Sequence, residues 1–237
     1  MNPLAVIREA GRSLGANKLR TGLTMLGMVI GVAAVVLMLA VGTGAQNQVN
    51  RAVGSMGSNL LVILSGSTSA GTLRMGSGNA PTLTTGDAEA IARLPAVQAV
   101  APTFPGGAQL AYGVNNWGTQ VLGVTPEYLS VRDWPVEAGD PISETDVRSS
   151  TRVALLGATV VEKLFDTEDP VGKTIRVRGQ PFQVIGVLKK KGQSLDGRDQ
   201  DDSVLVPITT AQGKLFGNRF PGTERFMFVQ AVSQAAT

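Results

Sequence analysis

No charged residue occurs between Arg20 and Arg51, and within that gap the run Leu23–Gly42 (LTMLGMVIGVAAVVLMLAVG) is almost wholly apolar. Twenty helical residues rise about 30 Å, the thickness of a bilayer's hydrocarbon core. The run is therefore expected to be a transmembrane helix. A cleaved signal peptide has a shorter apolar stretch of about 7–15 residues, so an uncleaved anchor is the expectation.

The charge around the run gives a direction. Residues 1–50 carry Arg8, Arg12, Lys18 and Arg20 against Glu9 alone, and this accounts for the whole net charge of +3. Basic residues before a span stay in the cytoplasm, which puts residues 1–20 inside and the bulk of the chain in the periplasm or outside the cell. Arg12, Lys18 and Arg20 are candidate anchors at the inner lipid interface, on a segment that can lie on that surface as an amphipathic helix. The remaining residues have balanced charge and no basic face, which argues against nucleic acid as a partner. Gly27 and Gly31 form a GxxxG pair, and Ala40 and Gly44 repeat the small-residue spacing that lets a second helix approach closely.

The chain of 237 residues has no histidine and no cysteine. This excludes Ser-His-Asp and Cys-His nucleophile systems, thiol redox chemistry and zinc sites built on those side chains. Other candidate chemistry is thin. Gly172-Lys173-Thr174 resembles the end of a phosphate-binding loop, but the required earlier glycine is Thr167 and the flanking residues are acidic; a turn feeding a strand is expected instead. Asp196, Asp199, Asp201 and Asp202 cluster without the calcium-loop pattern. Ser55 with Lys189, Lys190 or Lys191 is the one nucleophile system the composition leaves open, a Ser-Lys protease; it remains a remote alternative.

Beyond the span, Asn59–Leu64 reads as a strand, residues 65–82 as a Gly/Ser/Thr-rich loop, Thr84–Leu94 as a helix capped by Thr84 and Asp87, and Val97–Thr103 as a second strand. Short strands are expected at Gly107–Tyr112, Thr119–Val124, Arg152–Leu156, Thr174–Arg178, Phe182–Leu188, Ser203–Val206 and Arg225–Val232. Short helices are expected at Pro126–Arg132, Ala158–Phe165 and Ile208–Phe216. Changes of texture near 104–106 and 217–224 suggest an inserted subdomain.

Several stretches, taken in order, carry a resemblance. They are Asn17–Thr21 leading into Leu23–Gly27, Val121–Tyr128 (VLGVTPEY), Val153–Gly157 (VALLG), Asp169–Ile175 (DPVGKTI), Phe182–Val187 (FQVIGV), Lys191-Gly192-Gln193 and Asp199–Asp202 (DQDD). Together they resemble the N-terminal half of a MacB-type ABC transporter permease of the FtsX-like superfamily.

The resemblance implies an α+β chain: a cytoplasmic segment (1–20), a transmembrane helix (21–44), and a porter-like α/β part (45–104 and 223–237) interrupted by a mostly-β, sabre-like insert (105–222). It implies a non-enzymatic, dimeric or paired permease in the bacterial inner membrane. An ABC ATPase in a separate subunit or domain would bind the ATP, so no cofactor is expected on this chain. Membrane lipid, a periplasmic adaptor and an outer-membrane duct are the other implied partners, and mechanotransmission to the outer domain the implied mechanism. Gln193, Asp199, Gln200, Asp201 and Asp202 form the candidate partner-facing loop.

Such permeases have four membrane helices and complete the porter part with a further helix and strand. The chain is thus expected to be a fragment or truncated frame that leaves a sheet edge uncovered. The alternative is a stand-alone anchored binding module.

Overall fold

The computed structural model describes residues 18–55, 59–66, 69–70, 73–74, 82–194, 197–217 and 222–232. The chain divides into two compact units, 1–51 and 52–237. The first is dominated by helix α1 (Lys18–Ser55), 38 residues long, or about 57 Å. Within its segment Lys18–Gln46 an 18-residue window reaches a mean hydropathy of 2.6, and none of that window is buried in the chain. Consecutive Val35, Val36, Leu37, Met38 and Leu39 are all exposed, so the helix is apolar on every face, as a lipid-facing span is. The hydroxyls inside it are satisfied locally: Thr24 Oγ1 donates to the Arg20 carbonyl at 3.0 Å and Thr43 Oγ1 to that of Leu39.

The second unit is built on one nine-stranded sheet. Its elements follow in chain order: β1 (Leu60–Leu64), β2 (Ser69–Ala70), β3 (Leu73–Arg74), β4 (Leu83–Thr84), α2 (Thr85–Ala92), β5 (Val97–Tyr112), β6 (Asn115–Val124), α3 (Glu127–Val131), β7 (Val136–Gly139), α4 (Glu144–Ser149), β8 (Val153–Leu156), α5 (Ala158–Phe165), β9 (Thr174–Val177), β10 (Gln180–Leu188), β11 (Ser203–Pro207), α6 (Ile208–Thr210), a π-helix (Ala211–Phe216), β12 (Thr223–Glu224) and β13 (Phe226–Ala231).

Two sub-structures share β5. Its first half pairs antiparallel with β13 up to Thr103↔Phe226, and β13 pairs antiparallel with β1. Strands β1 and β5 therefore run parallel, with α2 between them in sequence and the returning strand β13 between them in space. Thr84 and Asp87 form the expected capping box of α2, and Ala88 packs with Val100, Met227 and Val229. Strand β1 exposes Leu61, Val62 and Leu64.

The second half of β5 enters a closed ring. Strand β5 pairs with β6, β6 with β11, β11 with β8, β8 with β10, β10 with β9, and β9 back to β5. This six-stranded barrel follows the period-2 alternation of its strands. Leu110, Val121, Leu156, Ile175, Phe182 and Val204 fill one cluster together with Val160 and Leu164 of α5 and Leu215 of the π-helix. The intervening residues Leu122, Leu155 and Leu205 face a second cluster with Tyr128, Val131 and Trp134.

The structure departs from the sequence reading at three places. Strand β5 is continuous across 104/105, where a boundary between parts is expected. The helix expected over Ile208–Phe216 is a single α turn followed by a π-helix. Strand β7, helix α4 and the two-residue strands β2, β3, β4 and β12 are additional, with the β2–β3 pair lying inside the expected 65–82 loop.

Glu224 is a buried carboxyl, accepting a hydrogen bond from Gln212 Nε2 of the π-helix at 3.1 Å. Burial pushes its pKa up to about 7. A carboxyl near 4.5 unfolded and about 7 folded binds more protons in the folded state. Its stability contribution is therefore full below pH 4.5 and is lost as pH rises to about 7. The Glu224→Gln variant is expected to flatten this decline and to be about 2 kcal/mol more stable than the wild type at pH 8. Urea melts of both proteins from pH 4 to 8 check this; parallel pH curves would refute it.

Candidate functional site

On α1 the four small residues do not form one stripe. At 100° per residue, Gly31 lies about 40° around the axis from Gly27, whereas Ala40 and Gly44 lie about 220° and 260° from it. The span thus offers two small-residue faces pointing in nearly opposite directions. A Cβ added at Gly27, Gly31 or Gly44 meets nothing within 4 Å, so each glycine leaves its face open. Lys18 and Arg20 are exposed in the first turn of α1. Cations there oppose the helix dipole, so their position makes sense as a charge flank to the apolar run rather than as a cap. Arg12 lies outside the described residues.

In the folded domain, the 192–202 loop leaves β10 and returns into β11. Its three described aspartates are structural ties, and Asp196 lies outside the described residues. Asp201 is buried, and its carboxylate accepts the backbone N–H of Lys191 and of Gly192, each at 2.8 Å. Asp199 accepts from Thr159 Oγ1 at 2.6 Å and from the Asp201 N–H at 3.0 Å. Asp202 Oδ1 accepts from the indole of Trp117 at 2.8 Å. Gln200 Oε1 accepts from Arg132 Nη2 at 3.2 Å. Gln193 bridges antiparallel to Asp199. Of the five residues expected to face a partner, Asp201 turns inward, Gln200 and Asp202 are half-buried, and Gln193 and Asp199 stand exposed beside Arg198.

The sequence reading missed the residues that brace this loop. The chain's two tryptophans both serve it: Trp117 holds Asp202, and Trp134 Nε1 donates to the Lys189 carbonyl at 2.7 Å. Lys191 Nζ donates to the Arg132 carbonyl at 2.5 Å and lies 5.6 Å from the Trp134 ring centre. Burial, with Arg132 nearby, pushes the Lys191 pKa down to about 8. The two tryptophans, among the rarest large side chains in the sequence, were the available signal, though both lie more than fifty residues before the loop they brace.

The remaining motifs resolve plainly. Gly172 and Lys173 form a turn in which the Lys173 N–H donates to the Pro170 carbonyl at 3.1 Å, leading into β9. The Lys173 ammonium pairs with Glu168 at 2.6 Å. Ser55 ends α1, and its side chain lies outside the described residues. Among the described residues no group of three or more acidic side chains is placed to hold a metal ion.

The family model for the MacB-like periplasmic core domain matches residues 21–237. Curated relatives include the macrolide export ATP-binding/permease protein MacB of Rhodospirillum rubrum, 44% identical over 221 residues, with 90% of this chain and 33% of that protein covered. Another is MacB of Syntrophobacter fumaroxidans, 40% identical over 214 residues, covering 90% of this chain and 30% of the relative. A third is the pyoverdine export ATP-binding/permease protein PvdT of Pseudomonas aeruginosa, 39% identical over 218 residues, covering 92% and 32%. The chain thus spans about a third of their length.

Among solved structures, the periplasmic region of MacB from Actinobacillus actinomycetemcomitans aligns with a TM-score of 0.60 at 23% identity, covering 77% of this chain and 78% of that one. The extracellular domain of the noncanonic ABC-type transporter YknZ from Gram-positive bacteria aligns at 0.59 and 23% identity, covering 75% and 86%. These two show the same fold: a mixed α/β domain. With an apolar N-terminal helix, that domain fold and a family match over nearly its full length, the chain belongs to the MacB-like periplasmic core domain family of ABC transporter permeases.

Proposed function

We propose that the chain is the non-catalytic, membrane-anchored outer domain segment of an ABC export permease in the bacterial inner membrane. Residues 1–20 lie in the cytoplasm and the folded domain outside it. ATP is hydrolysed by an ABC ATPase elsewhere in the assembly, and the resulting motion reaches the outer domain through α1. The permease works as a dimer or a pair, and the outer domain meets a periplasmic adaptor leading to an outer-membrane duct. The observation that carries this reading is α1 itself: one helix of 38 residues continues well past its apolar stretch, and a domain of the permease family follows it in the sequence.

The absence of cysteine allows a clean test. Val114, at the tip of the β5–β6 hairpin, is 96% exposed. In the full-length transporter with no other cysteine, Val114→Cys is expected to react with a membrane-impermeant maleimide added to spheroplasts. Spin labels on the paired Val114→Cys sites are expected to change separation between nucleotide-free and ATP-bound states. A site reactive only after lysis refutes the orientation; an unchanged separation refutes the coupling.

The open glycine face gives a further expectation. The double variant Gly27→Leu/Gly31→Leu should reduce the cross-linked dimer fraction of the full-length protein severalfold, because leucine side chains keep a neighbouring helix from close approach. An unchanged fraction would remove Gly27 and Gly31 from the interface.

A further inference from the structure

Two concavities adjoin on one face of the β5–β6 pair, and Gln120, Arg198 and Asp202 line both. The first, about 210 Å³, has an aromatic wall of Tyr128, Trp134, Phe226 and Phe228. Of these, Phe226 and Phe228 are half-buried and keep accessible surface. The second is an open trough of about 860 Å³ over residues 105–109 of β5 and 118–120 of β6, completed by Arg198, Asp202 and Arg225.

The floor of the trough is bare for no reason internal to the fold. Leu110 and Val121 turn inward to the barrel cluster, and side chains alternate along a strand, so positions 107, 109, 118 and 120 point outward. All four are exposed. The register sets Gly107 opposite Gln120 and Gln109 opposite Gly118. Neither glycine has a positive φ, and a Cβ added at either meets nothing within 4 Å. Gly106 and Gly123 differ: a Cβ there would strike Phe216 and Ala211. Glycine weakens a strand interior, and where no side chain or turn demands it, it marks the close approach of another backbone. The glutamine amides beside the bare floor each carry a carbonyl and an NH₂ group, the acceptor and donor types of a peptide unit.

Two arginines, Arg198 and Arg225, line the trough against one acid, Asp202, whose Oδ1 accepts from the Trp117 indole. The uncovered outer positions of the floor are uncharged, so the trough favours a negative ligand. We infer that this face binds an extended acidic segment of a partner protein, laid along β6 over Gly107 and Gly118, with an apolar side chain in the aromatic cavity and a carboxylate at Arg198 and Arg225. Leu122, which lines the cavity, stands four strand steps from Gly118, or about 13 Å. The face therefore holds about five extended residues, with the apolar and acidic side chains an even number of positions apart. A free small molecule is held by a site that buries most of its surface; an open trough suits a segment whose ends are fixed by its own protein. The inference stands apart from the coupling proposed above, since binding here requires neither ATP hydrolysis nor motion of α1.

The test titrates the full chain in nonionic detergent micelles with the peptide acetyl-Phe-Ser-Glu-Ser-Glu-amide by calorimetry, with empty micelles as the blank. One-site saturation is expected, and the same peptide with glutamine in place of glutamate should bind about tenfold more weakly, the effect of one charge-assisted hydrogen bond. The double variant Gly107→Val/Gly118→Val fills the floor with side chains for which the free domain has room. It should melt no lower than the wild type and bind the acidic peptide at least about tenfold more weakly. Arg225→Gln should narrow the difference between the two peptides severalfold. Failure of the wild type to saturate, equal affinity for the two peptides, or wild-type affinity in the double valine variant would each overturn the site. If the double variant does not fold, Arg225→Gln decides: a narrowed difference supports the site, and an unchanged one overturns it.

Discussion

The Asp201→Ala variant is expected to lose about 3 kcal/mol of stability and to free the start of the 192–202 loop. The Asp201 carboxylate is buried and is the acceptor for two successive backbone N–H groups, those of Lys191 and Gly192. Alanine leaves both donors without an acceptor at the point where the chain leaves β10. Hydrogen bonds to an ionised group contribute about 1.5–3 kcal/mol each, and water entering the gap recovers part of that. For a domain of this size each kcal/mol moves the melting temperature by roughly 2–4 °C, so a fall near 9 °C is expected. Hydrogen exchange should accelerate at the amides of Lys191 and Gly192 ahead of those in the barrel. Asp201→Asn, which keeps one acceptor oxygen, should fall between the two. If the alanine variant melts within about 1 °C of wild type, the loop is not held by this carboxylate.

The second large effect is expected from Gly157→Ala, at the corner between β8 and α5. A Cβ there would sit 2.1 Å from the Asp201 carbonyl oxygen and 3.0 Å from that of Ser203. Both obstacles are backbone atoms, and the Gly157 N–H is tied to the Ser203 carbonyl at 2.9 Å. The methyl group can be accommodated only by prising β8 from β11, two strands of the closed ring. A loss of at least about 3 kcal/mol follows, seen as poor soluble yield or a much lower melting temperature. Gly27→Ala is the matched control: its Cβ meets nothing within 4 Å, so the same change should leave the fold intact. Equal melting of Gly157→Ala and wild type would show that the corner is looser than these distances state.

These two sites show what the sequence could and could not disclose. The span, the capped helix α2, the boundaries of α5 and most barrel strands follow from patterns within a dozen residues, which a linear reading captures. Closure of the ring does not, because it depends on β9 reaching back to β5 at Leu110↔Val177 and Ala111↔Arg176. The segment Phe104-Pro105-Gly106 looked like a break and is the middle of a strand. Beyond Thr103 the strand β13 no longer flanks β5, so the missing N–H of Pro105 falls where one edge is open. Gly106 is small because the Phe216 ring lies against it, 2.4 Å from where a Cβ would be. Helix α4 was readable: Ser143 and Asp146 form a capping box, the same signal that revealed α2. The aspartates of the loop were read as outward-facing because acidic residues usually are. Asp201 inverts that rule because two adjacent N–H groups need an acceptor indoors.

Four residues in sequence separate the end of α1 from β1. Any pull transmitted along the chain from the anchor therefore arrives first at β1. That strand is held to β13 by antiparallel pairing over five residues, with bonds perpendicular to the strand. A force along β1 loads those bonds side by side, so they must fail together, whereas a force across the strand opens them one at a time. The first attachment of this domain is consequently a shear joint, strong against tugging along its length and weak against peeling. A single-molecule experiment pulling the domain from its N-terminal end in these two directions should find rupture at distinctly higher force in the first.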